Sequence, residues 1–209
     1  MGGEGDRAKR LIGGIYSWAA DKIYEPLVVN GAFKVFGGNL HDHVAQQGRA
    51  AVAVAKGRPI LDIPVGTATF TIPIARGSQG LVVGADIAAG MVQQARRAAR
   101  AAGVDNLAGL QADAHHLPFA DATFGAIMCT NGLQVMPGLH ETLTGLRRVL
   151  ADHGTLYVSV VSMPVSSAPG GPALFMSRAE LQRAFERAGF VIADLTTDRL
   201  ATFLEARPR

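Results

Sequence analysis

Three short apolar runs, each closing on an aspartate, constrain this chain more than any other feature. Ile60–Ile63 carries Asp62 into a turn of small residues, Pro64-Val-Gly66-Thr67-Ala68; Leu81–Ala85 stops at Asp86; Ala108–Ala112 stops just before Asp113. Between them lie helical patterns at Thr71–Arg76 and at Ala89–Ala102, the second closed by Gly103. Short apolar runs spaced by helices read as buried strands of a parallel sheet covered on both faces. The series continues with a strand at Phe124–Cys129, a helix at Leu139–Leu150 and a strand at Thr155–Val161. Strands of one sense end at the same sheet edge, so the three carboxylates gather where open α/β sheets bind ligands.

Further on, Ser177-Arg-Ala-Glu180 has the pattern of a capping box and predicts a helix ending at Gly189. Val191–Thr197 and Leu200–Ala206 then have no room for a crossover helix between them and are expected to pair as an antiparallel hairpin. The expected fold is α/β: a Rossmann-like, doubly wound, mostly parallel sheet with an antiparallel C-terminal hairpin strand and helices on both faces. Met163–Pro172, with Pro164, Pro169, Gly170, Gly171 and Pro172, reads as a loop at the ligand-binding edge. Residues 1–50 read as a separate helical segment, with Ile15, Trp18, Ile23, Tyr24, Val28, Phe33 and Phe36 at loosely helical spacing. We expect it to act as a lid that excludes water, over a sheet domain of residues 51–209. Tyr16, Trp18 and Phe36 of this segment, with Gln134 and His140 of the sheet domain, are the candidate substrate-binding residues.

A chain of 209 residues suits one domain of this kind. Its 20 Lys and Arg against 17 Asp and Glu leave a net charge of +3, too small to argue for nucleic acid. Arg96, Arg97 and Arg100 fall late in one helix, where cations suit the negative end of the dipole. The single Cys129 excludes a disulfide within the chain and suits a reducing compartment. Arg7–Arg10 precede an apolar stretch, but Gly13, Gly14, Tyr16 and Ser17 interrupt it and no run reaches the ~18 residues of a membrane span. The expectation is a soluble cytoplasmic protein with a small-molecule substrate, no membrane and no nucleic-acid partner; oligomeric state is not legible.

The chemistry of the edge follows from residue type. A turn of small residues lets backbone amides approach a ligand, and a carboxylate at the tip of the second strand can accept both hydroxyls of a ribose. Asp62 has two readings, a ligand contact or an acceptor for its own loop's amides. His115 and His116 are adjacent, so their side chains diverge, and no metal is expected. The general-base candidates are His41, His43 and His140.

The ordered series resembles the class I S-adenosylmethionine (SAM) dependent methyltransferases, in their small-molecule branch with the ubiquinone/menaquinone methyltransferases. The likeness runs through Leu61-Asp62-Ile-Pro-Val-Gly66-Thr, Gly84-Ala-Asp86-Ile87 with Met91, Asp113-Ala114, Leu117-Pro118-Phe119, Asp121, Phe124-Gly125, Arg148-Val-Leu150 and Gly154-Thr-Leu. It implies that SAM is held by Asp62, Pro64, Gly66, Thr67, Asp86, Ile87, Met91, Asp113, Ala114, Thr130 and Asn131. In that reading Gly66 admits the methionine part and Asp86 takes the ribose. Ile87 packs on the adenine, Asp113 and the Ala114 amide read its edge, and backbone near Thr130 and Asn131 flanks the sulfonium. The activity implied is methyl transfer to an O, N or C atom of a small, fairly hydrophobic metabolite. The family's first loop carries three alternating glycines, and Pro64 and Ala68 replace the first and third. That departure keeps two alternatives in view, a SAM-binding enzyme of rearrangement or cyclisation and a non-catalytic interaction protein.

Overall fold

The computed structural model describes residues 39–161, 178–198 and 201–209. Helix α1 (Leu40–Ala55) leads into β1 (Ile60–Asp62), α2 (Thr71–Gly77), β2 (Val82–Asp86), α3 (Ala89–Ala101) and β3 (Leu107–Gln111). β4 (Phe124–Thr130), α4 (Leu139–Val149), β5 (Leu150–Val161), α5 (Arg178–Arg187), β6 (Phe190–Asp198) and β7 (Ala201–Pro208) follow. The strands form one sheet in the order β3-β2-β1-β4-β5-β7-β6. The first five are parallel, and β7 runs antiparallel to both β5 and β6. The expected mixed sheet is therefore present, with a single reversed strand.

Alternation along the strands divides the core. Leu61, Ile127, Val158 and Leu204 face α4 and α5, where Leu143, Leu146 and Phe185 are buried. Ile60, Val82, Ala126, Met128, Tyr157 and Phe203 face the other layer, with Leu40, Val44, Ala51 and Ala55 of α1 and Ile74 of α2. Central strands buried on both faces carry apolar residues without a polar alternation, which is why β4 reads as a continuous run.

Several boundaries differ from expectation. β2 excludes Leu81, which is 46% exposed, and takes in Asp86 as its last residue. β3 ends at Gln111, so Asp113 stands two residues beyond the strand. Asp152-His153-Gly154 looks like a loop, yet β5 starts at Leu150 directly after α4, with Leu150 opposite Phe124 before a register shift. Gly154 allows it, because a Cβ there would sit 2.5 Å from Leu150 Cδ1. Ser177, Leu200, the Met163–Pro172 loop and residues 1–38, with Tyr16, Trp18 and Phe36, lie outside the described residues.

α1 straddles residue 50 and contributes Leu40, Val44, Gln47 and Gly48 to the core from before it. Its end abuts the start of β4, where a Cβ on Gly125 would lie 2.8 Å from the Ala55 Cα. Its beginning meets the opposite edge, where the Asn39 amide donates to Asp198 Oδ2 at 3.1 Å. The helix thus runs against the parallel strands and starts beside their C-terminal ends. Because residues 40–55 cover one face of the sheet, removal of residues 1–38 is expected to leave a cooperatively unfolding domain, whereas removal of 1–55 is expected to abolish the transition in circular dichroism melts.

Candidate functional site

Asp62 ends β1 at 3% exposure. The Thr71 hydroxyl, in the first turn of α2, donates to its Oδ2 at 2.5 Å, and its Oδ1 is buried without a hydrogen-bond partner. The structural role expected of Asp62 is thus filled by a hydroxyl rather than by loop amides. Burial raises its pKa from 3.8 to about 7, the Thr71 bond opposing and nearby Asp86 adding to the rise.

The loop that follows is held by its neighbours on either side. The Ile63 amide donates to the Met128 carbonyl at 3.0 Å and the Val65 amide to the Ala85 carbonyl at 2.8 Å. Pro64 sits between these two donors, and positive φ falls at Gly66 (50°) and Ala68 (63°) instead. Proline is therefore tolerated at the first variant position, since neither left-handed backbone nor a donor is called for there. At the third, Ala68 keeps a conformation that suits glycine, at a cost of about 1–2 kcal/mol for an L-residue. Its fully buried methyl group packs with Val65 and Ala95, which offsets part of that cost. A Cβ on Gly66 would meet nothing within 4 Å, so the loop faces open space there. A Cβ on Gly84 would come within 2.5 Å of Val65 Cγ2, so that glycine lets the loop lie flush on β2.

Asp86, expected to take a ribose, closes two turns by itself. Its Oδ2 accepts the Gly66 amide at 3.1 Å and its Oδ1 the Ala88 amide at 2.9 Å. Burial raises its pKa, and the amides of Ala88, Gly66 and Ile87 counteract the rise. Each carboxylate oxygen has two lone pairs, so capacity for ligand donors remains. Ile87 is half-buried beside it, and its carbonyl accepts Gln111 Nε2 at 3.1 Å. Met91 is buried in α3, and Thr67 Oγ1 lies 3.0 Å from Thr69 Oγ1.

Beyond β3, Asp113 Oδ1 accepts the His115 amide at 3.0 Å, which curls the chain into a tight turn around the buried Ala114. His116 is exposed, with Nδ1 3.7 Å from Asp113 Oδ2. The His115 ring turns away from it, with Nε2 2.7 Å from the Pro137 carbonyl and 3.0 Å from Thr142 Oγ1. The two imidazoles do not share a focus.

After β4, Asn131 takes φ 53° and its amide donates to the Ser159 carbonyl at 2.7 Å. Gln134 Nε2 donates to Asn131 Oδ1 at 3.3 Å, while the buried Gln134 Oε1 and Ser159 Oγ have no partner. This loop touches the first one, since a Cβ on Gly132 would lie 2.3 Å from Pro64 Cδ. Sequence reasoning missed Thr71, Gly84, Gly132 and Ser159. Their roles depend on register and on contacts across strands, and only Thr71 has a local signal, a hydroxyl at the helix start after a strand-end acid.

The candidate bases are dispersed. His41 lies beside Phe70 of the first loop, ring centroids 5.2 Å apart. His43 stacks on Phe203 at 4.3 Å, its Nε2 3.8 Å from Asp198 Oδ2. His140 is exposed in the first turn of α4, in the opposite layer.

Residues 60–154 match the methyltransferase domain family. Over 115 residues the chain is 38% identical to the ubiquinone/menaquinone biosynthesis C-methyltransferase of Haemophilus ducreyi, an overlap covering 54% of this chain and 44% of that protein. The chain spans about half the length of the curated relatives it matches. A SAM-dependent methyltransferase from Aquifex aeolicus superposes with TM-score 0.72 at 17% identity, over 92% of this chain and 98% of that one. The (4+2)-cyclase SpnF superposes with TM-score 0.70 at 19% identity, over 80% of each chain. At such identities the superpositions speak for the fold. The match to the methyltransferase domain is confined to residues 60–154, which run from the start of β1 into β5. The relatives that overlap this segment are named as ubiquinone/menaquinone biosynthesis C-methyltransferases.

Two predictions follow from the loop. The fold favours protonated Asp62, so its contribution to stability is present in full below about pH 4 and is lost as pH rises through about 7. Asp62→Asn is expected to flatten the fall in stability between those pH values, measured by urea unfolding; an unchanged profile would assign the slope elsewhere. For Ala68→Gly, relief of about 1–2 kcal/mol of left-handed strain opposes the loss of a buried methyl worth about 0.8 kcal/mol and the added unfolded-state entropy of glycine. The net change in unfolding free energy is expected to lie within about 1 kcal/mol of zero, and a larger loss would show that the methyl contact dominates.

Proposed function

We propose that this chain is a SAM-dependent methyltransferase transferring a methyl group to an O, N or C atom of a small, fairly hydrophobic metabolite. One observation carries the reading. The open space over Gly66 lies beside the buried Asp62 and Asp86 at the C-terminal edge of the sheet, inside the segment that matches the methyltransferase domain. The residues fit the cofactor, because Gly66 presents no side chain to the space and Asp62 keeps a buried oxygen without a partner.

SAM supplies a methyl group already activated on a sulfonium. The chain's own work is then orientation and exclusion of water. Asp86 holds the ribose through lone pairs left by the Gly66 and Ala88 amides, and Ile87 packs on the adenine. Asp113 and the Ala114 amide read the adenine edge. Thr67 and backbone around Gly66 border the methionine part, with Thr130 and Asn131 near the sulfonium. Gln134, whose buried Oε1 has no partner in the protein, is the residue after β4 that we assign to the acceptor. If the acceptor must lose a proton, His41 is the base we favour, since it adjoins Phe70 of the first loop. The relatives named for C-methylation in ubiquinone/menaquinone biosynthesis support carbon as the acceptor atom. The match to a methyltransferase domain favours methyl transfer over cyclisation or an empty site. Among the described residues no helix is long and apolar enough to cross a membrane, and the lone Cys129 is buried, its thiol pushed up to about 12 by burial and so inert. Both observations suit a cytoplasmic enzyme.

Calorimetry with SAM and with S-adenosylhomocysteine tests the reading, and silence toward both would sink it. Asp86 also caps two protein amides, so an alanine there would disturb the fold as well as binding. Asp86→Asn, which keeps one of the two acceptor oxygens, is the milder variant. It is expected to lose about 1.5–3 kcal/mol of affinity, on the scale of hydrogen bonds to charged groups. The 39–209 truncation is expected to keep SAM affinity and lose production of S-adenosylhomocysteine.

A further inference from the structure

The His115 ring is placed between two parts of the site that the chain itself keeps far apart. On one side it belongs to the turn after β3, where its own amide is held by Asp113 Oδ1 at 3.0 Å. On the other, its Nε2 reaches the Pro137 carbonyl at 2.7 Å and Thr142 Oγ1 at 3.0 Å. A carbonyl can only accept, so Nε2 carries the hydrogen. Pro137 ends the loop that follows β4, and Thr142 is a fully buried residue of α4. The fit around the ring is close. A Cβ on Gly138 would lie 3.2 Å from His115 Cε1, and one on Gly145 would lie 2.5 Å from the Ala114 carbonyl oxygen, so α4 lies directly on this turn.

At its other end the same loop is tied to the first. Gly132 lies against Pro64, and Asn131 is fixed to β5 through the Ser159 carbonyl. The turn after β3 is therefore connected, through one imidazole, to the loop between β4 and α4. Packed elements with discrete hydrogen bonds are the physical means by which two such segments move together.

We propose that His115 is a positioning residue that couples the nucleoside side of the cofactor site to the acceptor-side loop of residues 131–138, so that filling the first orders the second. This rests on the function proposed above, in which Asp113 and Ala114 face the adenine. His115 touches neither cofactor nor acceptor in this role. It transmits the position of the turn at 113–115 to the backbone at Pro137.

The test is hydrogen exchange by mass spectrometry, with and without saturating S-adenosylhomocysteine, on wild type, His115→Leu and His115→Gln. Leucine retains bulk and removes the hydrogen bond, whereas the glutamine amide can again donate toward Pro137. In the wild type and His115→Gln, the ligand is expected to slow exchange in both 113–116 and 132–138. In His115→Leu it is expected to slow only 113–116, with affinity lowered about 5–10-fold. Thr142→Val, which leaves the Pro137 bond in place, is expected to behave as wild type, and His115→Phe, a ring that cannot donate to Pro137, is expected to lose the coupling and replaces His115→Leu if that variant is unstable. Loss of coupling in Thr142→Val together with His115→Gln would refute the assignment to Nε2, and His115→Leu protected in both segments would refute the coupling itself. A wild type that fails to bind S-adenosylhomocysteine would overturn the functional reading and this inference with it, which distinguishes that failure from a wild type that binds but shows no dependence on His115.

Discussion

One carboxylate organises the ligand-binding edge of this domain. Asp86 is the last residue of β2, and its two oxygens receive the Gly66 amide from the β1 loop and the Ala88 amide from the turn into α3. A buried carboxylate demands such donors, because an uncompensated charge out of water is costly. Two turns in different crossovers are thereby set relative to one another before any ligand arrives. The Val65 amide and the Gly84 gap bring the same loop onto β2 by independent means. The open space over Gly66 is a product of these three constraints.

The architecture was legible because it depends on periodicity and on chain punctuation. Buried strands on both faces leave apolar runs, and the short gap before the last strand forces the antiparallel reversal seen at β7. Asp86 was legible for the same reason, as a polar residue ending an apolar run. Its bonding was not, because an acceptor for protein amides and an acceptor for a sugar look alike in sequence. Asp62 shows the limit from the other direction, since its partner Thr71 was assigned only to a helix start. The β5 boundary failed on chemistry, where Asp152-His153-Gly154 has the composition of a turn but lies along an irregular strand.

The substituted glycines illustrate how a loop's shape can outlast its residues. Pro64 falls between two amides already committed to neighbouring strands, so its missing donor leaves no gap in the hydrogen bonding. Ala68 keeps the left-handed turn, with a methyl group seated against Val65 and Ala95. The two replacements differ in kind. One removes something the site did not use, and the other retains a strained geometry compensated by packing.

The direction of α1 ties the two ends of the sheet together. Because that helix runs against the parallel strands, the chain joins the core at the rim of the site, at Asn39, where the Asp198 carboxylate anchors it. The anchor lies beside the C-terminal ends of the parallel strands rather than at the far pole of the sheet. A substitution at Asn39 or Asp198 therefore acts on the C-terminal edge of the sheet, a full helix length from the pole where Ala55 meets Gly125.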